Sequence, residues 1–137
     1  MITYDEFKKV EIRAGKIVAA EKVPETDKLL KLSVDFGEVE EIKVTLPENP
    51  DPKVVENPAA PVITKTPRYR QIISGIALKF PDITSLVGKT CMFVTNLEPR
   101  IIKGLESNGM LFAVSTNEGG FSLLEPNGTI PPGTLAI

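Results

Sequence analysis

Five apolar segments of strand length, set apart by turn residues and by one short helical stretch, predict an all-β chain. Two observations carry the prediction. Side chains alternate with a period of two at Val10, Ile12 and Ala14 against Glu11 and Arg13, and again at Leu30, Leu32, Val34 and Phe36 against Lys31, Ser33 and Asp35. Pro-rich and Asn-Gly punctuation falls mainly between these segments. The length, 137 residues, suits one domain.

Taken in order, Thr3 is an N-cap candidate for a short helix over Tyr4 to Val10, with Asp5 and Glu6 in its first turn. The first strand follows from Val10 to Val18, and Gly15 marks a bulge or bend in it. Leu30 to Phe36 forms the second strand, with one wet face, and Gln71 to Ala77 the third. A short helix or turn around Asp82 to Val87 precedes the fourth strand, Thr90 to Leu97, whose nearly continuous apolar character predicts burial. Met110 to Ser115 is the fifth, and residues 116–137 form a C-terminal extension. This succession fits a five-stranded OB-fold (oligonucleotide-binding) barrel with short helices. Such barrels bind through the strand 2–3 face and the loops joining strands 1–2 and 4–5.

Residues 39–69 interrupt the pattern. Six of the twelve prolines fall there (Pro47, Pro50, Pro52, Pro58, Pro61 and Pro67), among several acids. Such sequence is a poor central strand and reads as an insertion, although Ile42 to Leu46 and Val62 to Thr64 could pair as a hairpin extension.

Net charge is −2, yet unevenly placed. Asp35 to Glu56 holds seven acids against two lysines, whereas Ala60 to Leu105 holds seven cations against two acids. That asymmetry permits a local basic face on an acidic molecule. The absence of histidine removes Ser-His and Cys-His nucleophile pairs and His-based metal sites. The single Cys91 lies in an apolar strand and reads as a buried thiol. Gly88-Lys89-Thr90 has Ile83 where a phosphate-binding loop needs glycine. No catalytic centre, cofactor or metal is expected. A single cysteine and no signal-like or membrane-length apolar run point to a cytoplasmic protein without a membrane partner.

The strand 4–5 connection, Asn96 to Met110, is the strongest candidate site. Pro99 and Gly104 shape a loop carrying Arg100 and Lys103, and Ser107-Asn108-Gly109 closes it. Two cations at the binding edge of a barrel suit phosphate. Arg70, Ser74 and Gly75 at the third strand would let phosphate or ribose approach the backbone, unless Gly75 is only a barrel corner. Lys28 belongs to the strand 1–2 loop. Asn96 and Ser107 either bond RNA or brace the loop, and Met110 reads as core. Tyr69, between Arg68 and Arg70, is the one stacking candidate in a chain without tryptophan.

The same stretch, Asn96-Leu97-Glu98-Pro99-Arg100-Ile101-Ile102-Lys103-Gly104 through Met110, resembles the signature of the tRNA-binding domain family. That family includes the C-terminal domain of methionyl-tRNA synthetase, free-standing tRNA-binding proteins and the endothelial monocyte-activating polypeptide II group. The likeness continues in Phe7 to Val18, Asp27 to Leu32, Val34 to Gly37, Arg70 to Ala77 and Pro131 to Thr134, covering residues 7–38 and 70–134. It departs where residues 39–69 replace a short connection, and where Val23 and Thr26 stand for the family's His and Ala. The resemblance implies non-catalytic binding of folded tRNA, alone or beside an aminoacyl-tRNA synthetase, through Lys28, Arg70, Ser74, Asn96, Arg100, Lys103 and Ser107. It also implies a homodimer through the C-terminal region, where Phe121, Leu123, Leu124, Ile130, Leu135 and Ile137 are more apolar than a tail requires. The alternative is a protein-interaction module that docks a partner through the insertion and binds RNA weakly. A single-strand DNA binder is a third reading, disfavoured by the few aromatics.

Overall fold

The strand Ile12–Lys22 (β1) organises the molecule. In the computed structural model, which describes residues 1–44 and 62–137, β1 pairs antiparallel with two neighbours in succession. Its first half meets Thr90–Val94 (β4), from Ile12↔Val94 to Lys16↔Thr90. Its second half meets Leu30–Val44 (β2), from Lys16↔Asp35 to Lys22↔Leu30. A strand shared in this way must coil, and the register shift between Ile17 and Ala19 supplies the bulge that coiling needs. The bulge thus falls beyond Gly15. Gly15 serves packing instead, since a Cβ there would stand 2.6 Å from the Phe36 ring.

Val62–Ser74 (β3) is the far neighbour of β2, and Met110–Leu111 (β7) is that of β4, giving a curled five-stranded sheet in the order β3-β2-β1-β4-β7. This is the antiparallel, OB-like architecture expected from the alternation. Inward residues Ile17, Leu30, Leu32, Val34, Ile72, Cys91 and Phe93 are fully buried, and Leu86 enters from a 3₁₀ turn at Ile83–Leu86. Phe36 meets Phe93 edge to face at 5.2 Å.

Within 39–69, the β2–β3 ladder continues from Val39↔Pro67 to Val44↔Val62. Pro67 is tolerated because β3 is an edge strand of this sheet. The remaining expectations for the insertion, including the role of Thr45 and Leu46 in a hairpin, lie outside the described residues.

Several boundaries differ from the sequence expectation. The first strand spans Ile12–Lys22 instead of Val10 to Val18, and the third ends at Ser74, with Ala77 opening a 3₁₀ turn at Ala77–Lys79. The first helix (α1) is one turn, Tyr4–Phe7, because none of its residues is buried to hold a second; Thr3 does cap it, its hydroxyl accepting from the Glu6 amide at 3.2 Å. The fourth strand ends at Val94, since Thr95 and Asn96 turn to bond Glu11 and Lys9. Loop 97–109 contains a hairpin, Arg100–Ile102 (β5) with Leu105–Ser107 (β6). The fifth strand breaks at Phe112, and Ala113–Ser115 (β8) pairs instead with Phe121–Leu123 (β9).

Part of the C-terminal extension folds back on its own sheet. Leu123 joins the core, Phe121 packs edge to face on Phe80 at 5.8 Å, and Leu135 bridges to Arg13. Gly133 adopts φ +88° against Phe36, where a Cβ would meet the carbonyl oxygen at 2.2 Å. Leu124, Leu135 and Ile137 remain exposed.

Candidate nucleic-acid interface

The β5–β6 hairpin turns on two residues, Lys103 (φ 51°) and Gly104 (φ 79°). Two consecutive positive φ angles match the right-handed twist of the strands they join. Glycine adopts this backbone freely, whereas lysine does so at a cost, so Lys103 stands strained at the hairpin tip. Arg100 begins the hairpin, exposed and opposite Ser107. Arg100, Lys103 and Lys28 form no ion pair with any described residue.

Two clefts meet at this hairpin. One, of about 220 Å³, lies between the end of β3 and the hairpin base, and is lined by Ser74, Gly75, Arg100 and Met110 among others. Met110, expected in the core, is instead 46% exposed. Gly75 is exposed, with open space where a Cβ would stand. The second cleft, of about 400 Å³, lies between the strand 1–2 connection and the hairpin tip, and contains Lys28 and Lys103. Lys28, Ser74, Arg100 and Lys103 therefore gather along one edge. Glu25, Asp27 and Glu98 line the same clefts, so the cations are local and not part of a uniform positive field.

The other three sequence candidates spend their polar atoms inside the protein. Arg70 shares the period-two face of Ile72, which turns its side chain inward. Its guanidinium bonds both Glu38 oxygens, at 2.6 and 3.1 Å, and lies 5.3 Å from the Phe36 ring centre. It also donates to the carbonyls of Thr95 at 2.7 Å and Asn108 at 3.5 Å, the two ends of the hairpin-bearing loop. Asn96 accepts from the Glu11 amide and donates to the Lys9 carbonyl. Ser107 is buried, accepts from the Ile73 amide at 3.0 Å and donates to the Gly109 carbonyl. Gln71, not singled out by sequence as a site residue, joins them: its side-chain nitrogen donates to the Glu106 carbonyl at 2.9 Å, and its backbone carbonyl accepts from the Asn108 amide at 2.9 Å. These four residues brace the loop.

A third cleft, of about 380 Å³, lies beside the brace and is lined by Arg68, Tyr69, Gln71, Leu97 and Pro99 among others. Tyr69 is 48% exposed, as a stacking role would need. The Arg13 side chain and the Thr95 hydroxyl, both bonded to Glu11, hold its carboxyl below the usual carboxylate value. Burial raises the Cys91 thiol to about 11, which keeps it an inert core residue. Among the described residues no cluster of acids or cysteine could hold a metal ion, and no helix is long and apolar enough to cross a membrane.

Known proteins resemble the chain closely. The family model described as a putative tRNA binding domain matches residues 60–135. The methionine–tRNA ligase of Methanospirillum hungatei is 39% identical over 97% of the chain, and that of Chloroherpeton thalassium 35% identical over 93%. The chain spans only 15% and 14% of those two proteins. A solved structure of a MetRS-related protein from Pyrococcus horikoshii has a TM-score of 0.73 at 31% identity, covering 100% of this chain and 98% of that one. The CsaA chaperone of Bacillus anthracis shares the fold, with a TM-score of 0.69 at 22% identity over 100% of this chain and 99% of its own.

Proposed function

This chain belongs to the family of the putative tRNA binding domain, and we propose that it binds folded tRNA without catalysing a reaction. The observation that carries this is the edge where Arg100 and Lys103 on the β5–β6 hairpin meet Lys28 and Ser74. The cations are exposed, and the hairpin beneath them is held at both ends by Arg70. Charges fixed on a braced hairpin can match phosphates whose spacing is set by a folded RNA, whereas a flexible strand offers no fixed spacing. Arg70, Asn96 and Ser107 act by holding this edge in place. Likeness to methionine–tRNA ligases supports work beside an aminoacyl-tRNA synthetase in the cytoplasm, the synthetase supplying the active site.

The domain acts as a homodimer. The support is apolar surface at the two chain ends, where Ile2, Tyr4, Phe7, Leu135 and Ile137 are exposed. Light scattering at low micromolar concentration should give about twice the 14.9 kDa chain mass, and a value at the single chain mass would refute the dimer.

Filter binding tests the ligand class. Native tRNA should bind with a steep loss of affinity as salt rises, and heat-denatured tRNA of the same sequence should bind less well. Equal retention of single-stranded DNA would favour the stacking reading, for which Tyr69 is the available ring.

A further inference from the structure

We infer that the cleft between the strand 1–2 connection and the hairpin tip takes one unpaired guanine base, with the Asp27 carboxylate accepting from the base. The inference rests on the tRNA-binding proposal and adds a base-selective subsite to it.

The cleft joins segments distant in sequence, Glu25 to Leu29 and Ile102-Lys103. Among the described residues, Glu25 (φ 63°) and Lys103 (φ 51°) alone of the non-glycine residues have a positive φ, and both line this cleft. Strained backbone in two separate loops that meet at one cavity is a recurrent feature of binding sites. The volume of about 400 Å³ lies near the lower end of the range for small-ligand clefts, about 300–1,000 Å³. It is large enough for a base with its ribose.

The lining chemistry selects the occupant. Leu29 and Ile102 are half-buried and offer apolar contact to a ring face. Lys28 and Lys103 can reach the flanking phosphates. Glu25 and Asp27 are exposed carboxylates, which repel phosphate and accept hydrogen bonds only. Their favourable partners are N–H donors on a base. Guanine presents two parallel donors, N1–H and the 2-amino group, in the fork that a single carboxylate accepts; adenine presents no such pair. Asp27 lies between this cleft and a neighbouring one that contains Lys22, and it precedes Lys28, so base and phosphate contacts come from consecutive residues.

The test is an interference map on a tRNA transcript carrying scattered inosine in place of guanosine, which removes only the 2-amino group. Bound and unbound fractions are compared position by position, for the wild type and for Asp27→Asn. The expected result is one unpaired guanosine where inosine lowers retention about fivefold or more in the wild type, with no such effect for Asp27→Asn. A melt of Asp27→Asn close to the wild type is expected from the residue's exposure. A flat map with tRNA still retained overturns the guanine subsite alone, as does an interference that survives in Asp27→Asn. Failure of any transcript to bind overturns both this inference and the tRNA proposal.

Discussion

Polar residues along the third strand and its neighbouring loop carry two jobs that look alike in sequence. Arg70 and Arg100 are both cations beside apolar residues, but one is bonded to Glu38, Thr95 and Asn108 and the other is free of ion pairs among the described residues. The two-residue spacing to Ile72 carries the inward face of Arg70, yet the sequence reading assigns this residue to phosphate or ribose, because its partner Glu38 lies far off in sequence. The burial of Cys91 was legible because an apolar run surrounds it. Arg70→Met should therefore cost about 2–3 kcal/mol, because Glu38 and two carbonyls lose their donor in a part-buried site. Denaturant melts measure this; a neutral change would show that the brace is not built on Arg70. Lys103→Gly should move stability and binding in opposite directions. The fold should gain about 0.5 kcal/mol from relief of the left-handed backbone, while tRNA affinity falls with the lost charge. Glu11 adds a pH dependence. Its carboxyl titrates below its ordinary value in the fold, so its contribution is fully present above that ordinary value, near 4.5, and is lost as pH falls through the lowered one. Glu11→Gln should lower the melting temperature at pH 7 by more than it does at a pH well below 4.5. A gap of equal size at both would contradict the Arg13–Glu11–Thr95 network.

Among the elements, the strands of strict alternation were legible because one buried face writes period two into the sequence, as at Leu30 to Phe36. The β5–β6 hairpin was not, because its strands are three residues long and Ile101 points to solvent, so no alternating apolar face marks them. Lys103-Gly104 is also a weaker turn signal than Asn-Gly. The break at Phe112 escaped for a different reason: the Met92 carbonyl accepts from Phe112 while the Phe112 carbonyl accepts from Leu124, so the chain changes partners mid-segment. The long β2–β3 ladder leads to a prediction about the insertion. Val44 and Val62 are register partners, so residues 45–61 can be replaced by Asn-Gly to close a two-residue hairpin. That variant should keep a cooperative melt within a few degrees of the wild type and bind tRNA as well or better, having lost the three acids Glu48, Asp51 and Glu56 against the one lysine Lys53. Loss of RNA binding with the fold intact would mean that the insertion contributes contacts to the RNA.

At the scale of the whole molecule, a net charge of −2 would not by itself direct it to a polyanion. The proposal of tRNA binding rests instead on the placement of charge, because the fold brings Lys28, Arg100 and Lys103 to one edge and spends Arg70 internally. The sequence conveyed the barrel and the basic loop; which cations would remain free depended on tertiary partners it could not display. The central claim is that tRNA is held by this edge and not by diffuse charge. Its most direct test is the salt dependence of native tRNA binding for the wild type, Arg100→Ala, Lys103→Ala and, as a matched loss of charge within the acidic insertion, Lys53→Ala. Each edge variant should weaken binding and reduce the slope of log affinity against log salt by about one unit, with the melting temperature little changed. Lys53→Ala should leave affinity and slope near the wild-type values. Equal losses in all three variants would contradict the edge and assign the binding to charge spread over the surface.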